Sequence, residues 1–218
     1  MQIQENISLK PYNSFGIDVR ARQFASFTGK GELEELTEGA VNQPKFILGG
    51  GSNILLTKDF DGFVLKNEIK GIQKVGEDDE FVYIRAGAGE NWHFFVLNCI
   101  QNNWCGVENL SLIPGNIGAS PMQNIGAYGV EIKDVFEELE AYHIYDHVTR
   151  KFSLSECGFG YRESVFKQQY RSQFVILHVT YRLRKLAHLN TSYGAIEQEL
   201  ENMSPNWNGL VSGLISSP

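Results

Sequence analysis

The sequence predicts an α+β protein. Runs with strand-like alternation outnumber helical stretches, and the two kinds do not take turns in the regular order of a parallel βαβ chain. A glycine-dense apolar segment near the middle fits neither element. The 218 residues suit one large domain or two modest ones. A hydrophobic fraction of 42% against 21% charged is ordinary for a globular chain, and nothing suggests global disorder.

The first 30 residues read as irregular, with turn residues at Pro11, Asn13-Ser14 and Gly16, and Ile17 and Val19 opening a short alternating strand. A helix is expected from Glu32 to Glu38, capped by Thr28, with Leu33 and Leu36 facing inward. Phe46-Ile47-Leu48 reads as a strand that runs into Gly49-Gly50-Gly51-Ser52-Asn53. Asp61-Gly62 reads as a turn and Phe63-Val64-Leu65 as the next strand. Phe81 to Ala86 is a further strand. A helix should follow from about Glu90 to Asn103, because Trp92, Phe95, Val96, Cys99 and Ile100 make one apolar stripe at helical spacing.

Residues 104–130 are too apolar for a linker and too rich in glycine and proline for one element. Strand-like runs resume over Val135–Tyr145 and Phe174–Leu183, separated by Gly158-Phe159-Gly160-Tyr161-Arg162-Glu163-Ser164. The composition shifts near residue 187. A short helix is expected over Ala195–Glu201, and residues 204–218, rich in Ser, Gly, Pro and Asn, are expected to be mobile or poorly packed.

The formal charge of -7 argues against nucleic acid, whose phosphates want a basic stripe. Arg182, Arg184 and Lys185 read equally as the solvated end of the last strand. Three cysteines, Cys99, Cys105 and Cys157, fit no zinc or redox spacing. A reducing, cytoplasmic setting is expected. The opening Met1–Asn6 lacks a secretory pattern, and no apolar run approaches the roughly 18 residues of a membrane span. His143 and His147 point the same way on a strand, but no glutamate stands in an HExxH arrangement.

Three features carry chemistry. Gly49 to Asn53 follows a strand, and consecutive backbone N–H groups there can cradle a diphosphate. It is neither GxGxxG nor a Walker A loop, and a tight turn between strands is the plainer reading. The 106–129 segment suits a wall around a planar cofactor such as a flavin, with Ile113, Ile117 and Ile125 offering apolar contact. An ordinary tangled loop has the same composition. Tyr161-Arg162 is either a surface pair or a guanidinium held over a reaction centre, where it would stabilise charge developing on a carboxylate or enolate. Glu163 would orient it or merely sit beside it.

Taken together, these pieces resemble one family, the bacterial UDP-N-acetylenolpyruvoylglucosamine reductases (UDP-N-acetylmuramate dehydrogenase, MurB). The resemblance is carried, in the family's order, by Asn13-Ser14-Phe15-Gly16, by Leu48 to Leu55, by Gly106-Val107-Glu108 leading into Ile113 to Gly129, and by Phe159 to Lys167. It implies an FAD-binding fold of the vanillyl-alcohol oxidase (PCMH) type. Two FAD-binding subdomains, 1–66 and 67–186, would precede the start of an incomplete substrate domain at 187–218. It also implies a monomer, bound neither to nucleic acid nor to membrane. The activity implied is reduction of the enolpyruvyl ether of UDP-N-acetylglucosamine to UDP-N-acetylmuramate in peptidoglycan precursor synthesis, with hydride passing from NADPH by way of FAD.

On this resemblance Gly49, Gly50, Gly51, Ser52 and Asn53 would hold the FAD diphosphate. Ile113, Gly115, Asn116, Gly118, Ala119, Gln123 and Gly126 would shape the rest of the pocket. Arg162 would be catalytic with Tyr161 beside it, and Tyr193 would contact the UDP part of the substrate. No metal is implied. The family's proton-donating serine, in a Gly-Ser-Phe-Phe-type motif, and its companion glutamate have no counterpart in the 218 residues. The pattern fades near Met203, as in a C-terminally truncated member. The alternative expectation is therefore an FAD-binding fragment or remnant with little or no activity.

Overall fold

The computed structural model describes residues 2–40, 43–188 and 190. The helix expected over 195–201, the character of 204–218 and the position of Tyr193 lie outside them. The described chain builds two main sheets.

The first sheet comprises β1 (Gln4–Ser8), β2 (Arg20–Phe27), β3 (Lys45–Leu48) and β4 (Phe60–Asn67), in the order β1-β2-β4-β3. β2 and β3 run parallel to β4, and β1 pairs antiparallel with β2. Alternation along the strands sends Ala25, Phe27, Phe63 and Leu65 to one face and Ala21, Phe24 and Val64 to the other. The first face takes Leu33 and Leu36 of α1 (Lys30–Glu38). The cap of α1 differs from expectation. Gly29 is the N-cap, and Thr28 donates its backbone N–H and hydroxyl to Glu32 Oε2, at 2.6 and 2.9 Å. The carboxylate folds back on the entering chain, as the acidic half of a capping box does. Asp61-Gly62 is likewise not a turn. It lies within β4, where one extra residue opposes β2 and makes a bulge. A Cβ on Gly62 would collide with the Pro44 carbonyl.

The second sheet has the order β10-β9-β11-β6-β5, all neighbours antiparallel. Its strands are β5 (Ile72–Glu77), β6 (Phe81–Gly87), β9 (Phe136–His143), β10 (Val148–Ser153) and β11 (Phe174–Arg184). A two-residue pair, β7 (Gly126–Ala127) and β8 (Val130–Glu131), stands apart. Helix α2 (Trp92–Gln101) buries its expected stripe, Trp92, Phe95, Val96, Cys99 and Ile100, against this sheet's main core. Asn91 caps it by accepting from the Phe94 N–H at 3.0 Å.

The two sheets share apolar surface. Tyr142, Val175 and Leu177 of the second, with Ile144 just after β9, join the α1 face of the first in one buried cluster. Buried Asn67 at the end of β4 donates to the Ile176 carbonyl at 2.9 Å and accepts from the Ile69 N–H, so the strand end is tied across the boundary. Arg182 and Arg184 lie within β11 and stack over the Phe81 ring, while Lys185 pairs with Glu77. The basic group is a solvated strand end.

Candidate functional site

The loop after β3 faces the segment after α2 across a cleft of about 360 Å³. Gly49, Gly50, Gly51, Ser52 and Asn53 line one side, and Gly115, Gly118, Ala119 and Gln123 line the other. Asn53 Nδ2 donates to Gln123 Oε1 at 3.0 Å across a sequence separation of 70 residues. Nine residues anticipated from sequence therefore converge on one space.

The loop is shaped by what its glycines permit. Gly51 has φ +67, and a Cβ there would run into the Tyr12 carbonyl. Its own carbonyl accepts from the Ser14 N–H at 3.1 Å, which ties the Asn13–Gly16 turn to the loop. Gly118 donates to the Ala88 carbonyl at 2.9 Å, and a Cβ on it would stand 2.8 Å from that of Ala88. The backbone amides of Gly50, Gly51, Ser52 and Asn53 donate to no acceptor among the described residues. Consecutive unspent N–H groups at a cleft wall form an anion-binding concavity.

A larger cavity of about 720 Å³ adjoins the cleft and shares Phe46, Ile47, Met122, Lys167 and Phe174 with it. The charged residues lining the two are Lys45, Lys167 and Arg171; no Asp or Glu joins them, although the whole chain carries -7. Lys45 is held by the Ala40 and Gln43 carbonyls, and burial pushes its ammonium pKa down. A dianionic diphosphate with large ring systems fits this cleft: spare amides and cations for the charge, apolar side chains for the rings.

The lining of the cleft differs in part from the residues named in the sequence. Ile117 and Ile125 are inside the main core, so the apolar lining comes instead from Phe46, Ile47, Leu48, Met122 and Phe174. Ile113 packs against that core and is not part of the cleft lining. Asn116 lies against Gly50, where an added Cβ would stand 2.8 Å from its Oδ1, and it donates to the Gly89 carbonyl at 3.2 Å. Short-range apolar spacing cannot tell a residue facing a ligand from one facing a core. Met122 lies in the 106–129 segment read as a cofactor wall, whereas Asn67 and Lys167 are lining residues without such a reading. Lys167 ends the Phe159–Lys167 motif, and its charge is the signal it offers in the sequence.

Tyr161 and Arg162 occupy a separate place. Gly160 and Glu163 exchange backbone hydrogen bonds at 3.1 and 3.3 Å, closing a turn with Tyr161 and Arg162 at its tip. Arg162 has φ 54, where glycine is the ordinary choice at the third position of such a turn. Tyr161 is 87% exposed. The Arg162 guanidinium donates to the Gly126 carbonyl at 2.7 Å, which is the part Gly126 plays. Fully buried Asn124 also holds the turn, donating to the Gly160 carbonyl at 3.0 Å and accepting from the Lys133 N–H at 3.1 Å. Buried Ser164 donates to the Met122 carbonyl at 2.7 Å. Glu163 forms no ion pair with Arg162.

The remaining reactive groups lie elsewhere. Burial pushes Cys105 up to about 11 and Cys157 up to about 12, and Cys99 well above the usual range. His178, lowered by burial and then by Arg85, sits with Arg85 and Glu140 and does not line the cleft. Among the described residues no cluster of metal-ligating side chains is present, and His143 and His147 are engaged with Asp146 and Tyr142. No described helix is long and apolar enough to cross a membrane.

Fold and cleft define a flavin-nucleotide-binding protein. The chain belongs to the FAD-binding domain family, whose model (FAD binding domain) matches residues 31–146, and its cofactor is FAD. It is a homologue of the UDP-N-acetylenolpyruvoylglucosamine reductases. It is 52% identical over 201 residues to that of Flavobacterium johnsoniae, covering 92% of this chain and 60% of the relative. The reductase of Amoebophilus asiaticus is 48% identical over 207 residues, covering 94% and 61%. The chain thus spans about 60% of the length of the curated relatives it matches. Among solved structures, the UDP-N-acetylenolpyruvylglucosamine reductase (MurB) of Thermus caldophilus aligns with TM-score 0.70 and 21% identity, over 100% of this chain and 71% of that one. p-Cresol methylhydroxylase aligns with TM-score 0.55 and 13% identity, over 80% and 38%. These likenesses give the fold, that of the vanillyl-alcohol oxidase (PCMH) type.

Proposed function

We propose that this chain is the FAD-binding part of a reductase that converts UDP-N-acetylglucosamine enolpyruvate to UDP-N-acetylmuramate with NADPH, and that these 218 residues alone bind FAD but turn over little or not at all. The observation that carries the proposal is the cleft wall of four spare amides at Gly50 to Asn53, facing Gly115 to Gln123 with no carboxylate in the lining. Residues 1–66 and 67–186 serve as the two FAD-binding subdomains. FAD, when bound, supplies the hydride chemistry.

The chain's own residues contribute binding and one charge. Gly49 to Asn53 hold the diphosphate, and Gly115, Gly118, Ala119 and Gln123 close the opposite wall. Arg162 supplies a fixed cation. Hydride addition to an enolpyruvate pushes negative charge towards its carboxylate, and a guanidinium placed there lowers that barrier. An arginine kept at positive φ costs about 1–2 kcal/mol, and such strain is retained where position matters more than stability. Tyr161 stands beside it, and Tyr193 contacts the UDP part. Protonation of the second carbon needs a donor, and the serine and glutamate that the reductase resemblance implies are not among these residues. The favoured reading is therefore binding without efficient turnover; NADPH and the UDP-sugar are partners of the longer enzyme.

The test uses the purified chain. A yellow protein with a bound-flavin spectrum is expected, with no loss of nicotinamide absorbance when NADPH and the enolpyruvyl nucleotide are added. Steady turnover by this chain would contradict the division of labour, and absence of flavin would contradict the whole reading.

A further inference from the structure

We infer that Lys167 is the cationic partner of the cofactor's diphosphate and couples cofactor binding to the turn that carries Arg162; this rests on the flavin reading of the cleft. Of the described residues lining the glycine-loop cleft, Lys167 is the one that carries a charge. FAD carries its negative charge on the diphosphate. A cleft with four spare amides, one ammonium and no carboxylate is matched to that group and to little else in the molecule.

Lys167 also reaches the other site. Its Nζ donates to the Arg162 carbonyl at 2.9 Å, leaving two of three ammonium donors for phosphate oxygens. Its backbone N–H donates to the Ser164 carbonyl at 3.1 Å, and the Ser164 hydroxyl is bonded to the Met122 carbonyl at 2.7 Å. Met122 itself lines the cleft. One short segment, 162–167, is thus fixed to the cleft wall at Ser164, while its lysine spans from the cleft to the strained turn. A lysine that merely closes a surface turn would make the same carbonyl bond, but it would not respond to a phosphate.

The experiment titrates FAD into the flavin-free full chain, unaltered or carrying Lys167→Met or Lys167→Arg, reading flavin fluorescence at low and at high salt. Lys167→Met is expected to weaken FAD binding about tenfold at low salt. The gap should close near 1 M salt, where charge acts over only about 3 Å. Lys167→Arg, which keeps the charge, should bind nearly as the unaltered chain does. An unchanged affinity in Lys167→Met, or a loss equal at both salt concentrations, overturns the charge role. For the coupling, FAD should slow tryptic cleavage after Arg162 in the unaltered chain and not in Lys167→Met, with the cut read by mass. Equal protection in both overturns it. If the unaltered chain fails to bind FAD, the flavin reading falls and this inference with it.

Discussion

The glycine-loop cleft and the Tyr161-Arg162 turn are built on opposite plans. The cleft is made of backbone: three glycines in sequence, a facing strip whose Gly118 touches Ala88, and walls that join two sheets. The turn is made of side chains at an exposed tip, with Arg162 in a conformation that suits glycine. The described lining of the cleft falls within residues 46–176. The turn is supported by Asn124, Ser164, Gly126 and Lys167, and Tyr161 is 87% exposed. The contrast separates a cleft lined from both sides, the proposed cofactor site, from an exposed turn, the proposed place of the reaction.

The largest effect should come from breaking the cleft. Gly51→Val puts a branched side chain at φ +67 against the Tyr12 carbonyl, and is expected to abolish FAD binding and destabilise the fold by about 3 kcal/mol. Flavin titration with a thermal melt reads both. Next is the support of the turn. Asn124→Ala removes two partly buried hydrogen bonds and is expected to cost about 2–3 kcal/mol, read by denaturant unfolding, while FAD affinity falls by less than the tenfold expected of Lys167→Met. If FAD binding falls as far as stability does, the two regions are not separable.

Arg162 itself should matter to chemistry and to local strain, and not to FAD binding. Arg162→Gly relieves the left-handed strain and is expected to raise stability by about 0.5–1 kcal/mol, with FAD binding retained. Arg162→Ala should likewise spare FAD binding and remove whatever reduction the chain supports. Equal loss of flavin in these variants would sink the catalytic assignment. The smallest effect concerns the thiols. Because burial raises them, with Cys105 at about 11 and Cys157 at about 12, all three should react with a disulfide reagent at pH 8 only after unfolding. Their contribution to stability is complete below the ordinary thiol pKa of about 8.5 and is lost as pH rises through the raised values.

Much of this was legible in the sequence, and the failures have more than one cause. Three of the strands passed over, β1, β5 and β10, are sheet edges, whereas β2 is interior and begins at Arg20, after the Ile17 and Val19 expected to open it. β10 buries only Phe152 and β1 buries nothing, so alternation was too weak to register. β11, whose residues are mostly buried, stood out at once. The parallel pairing of β2 and β3 with β4 left no mark on composition. In the site, the glycine loop and its facing strip were recognisable because glycine pattern reports backbone shape directly. Ile117 and Ile125 were misplaced because hydrophobicity does not say which surface a side chain meets. Lys167 escaped notice because a single lysine gains meaning only from the carboxylate-free surroundings that folding assembles.

The proposal on which the others rest is that these 218 residues bind FAD on their own. Titration of the purified, flavin-free chain with FAD tests it most directly. Saturable binding at one FAD per chain, lost in Gly51→Val and kept in Arg162→Ala, is the predicted result. No saturable binding, or binding that follows Arg162 rather than Gly51, would contradict it.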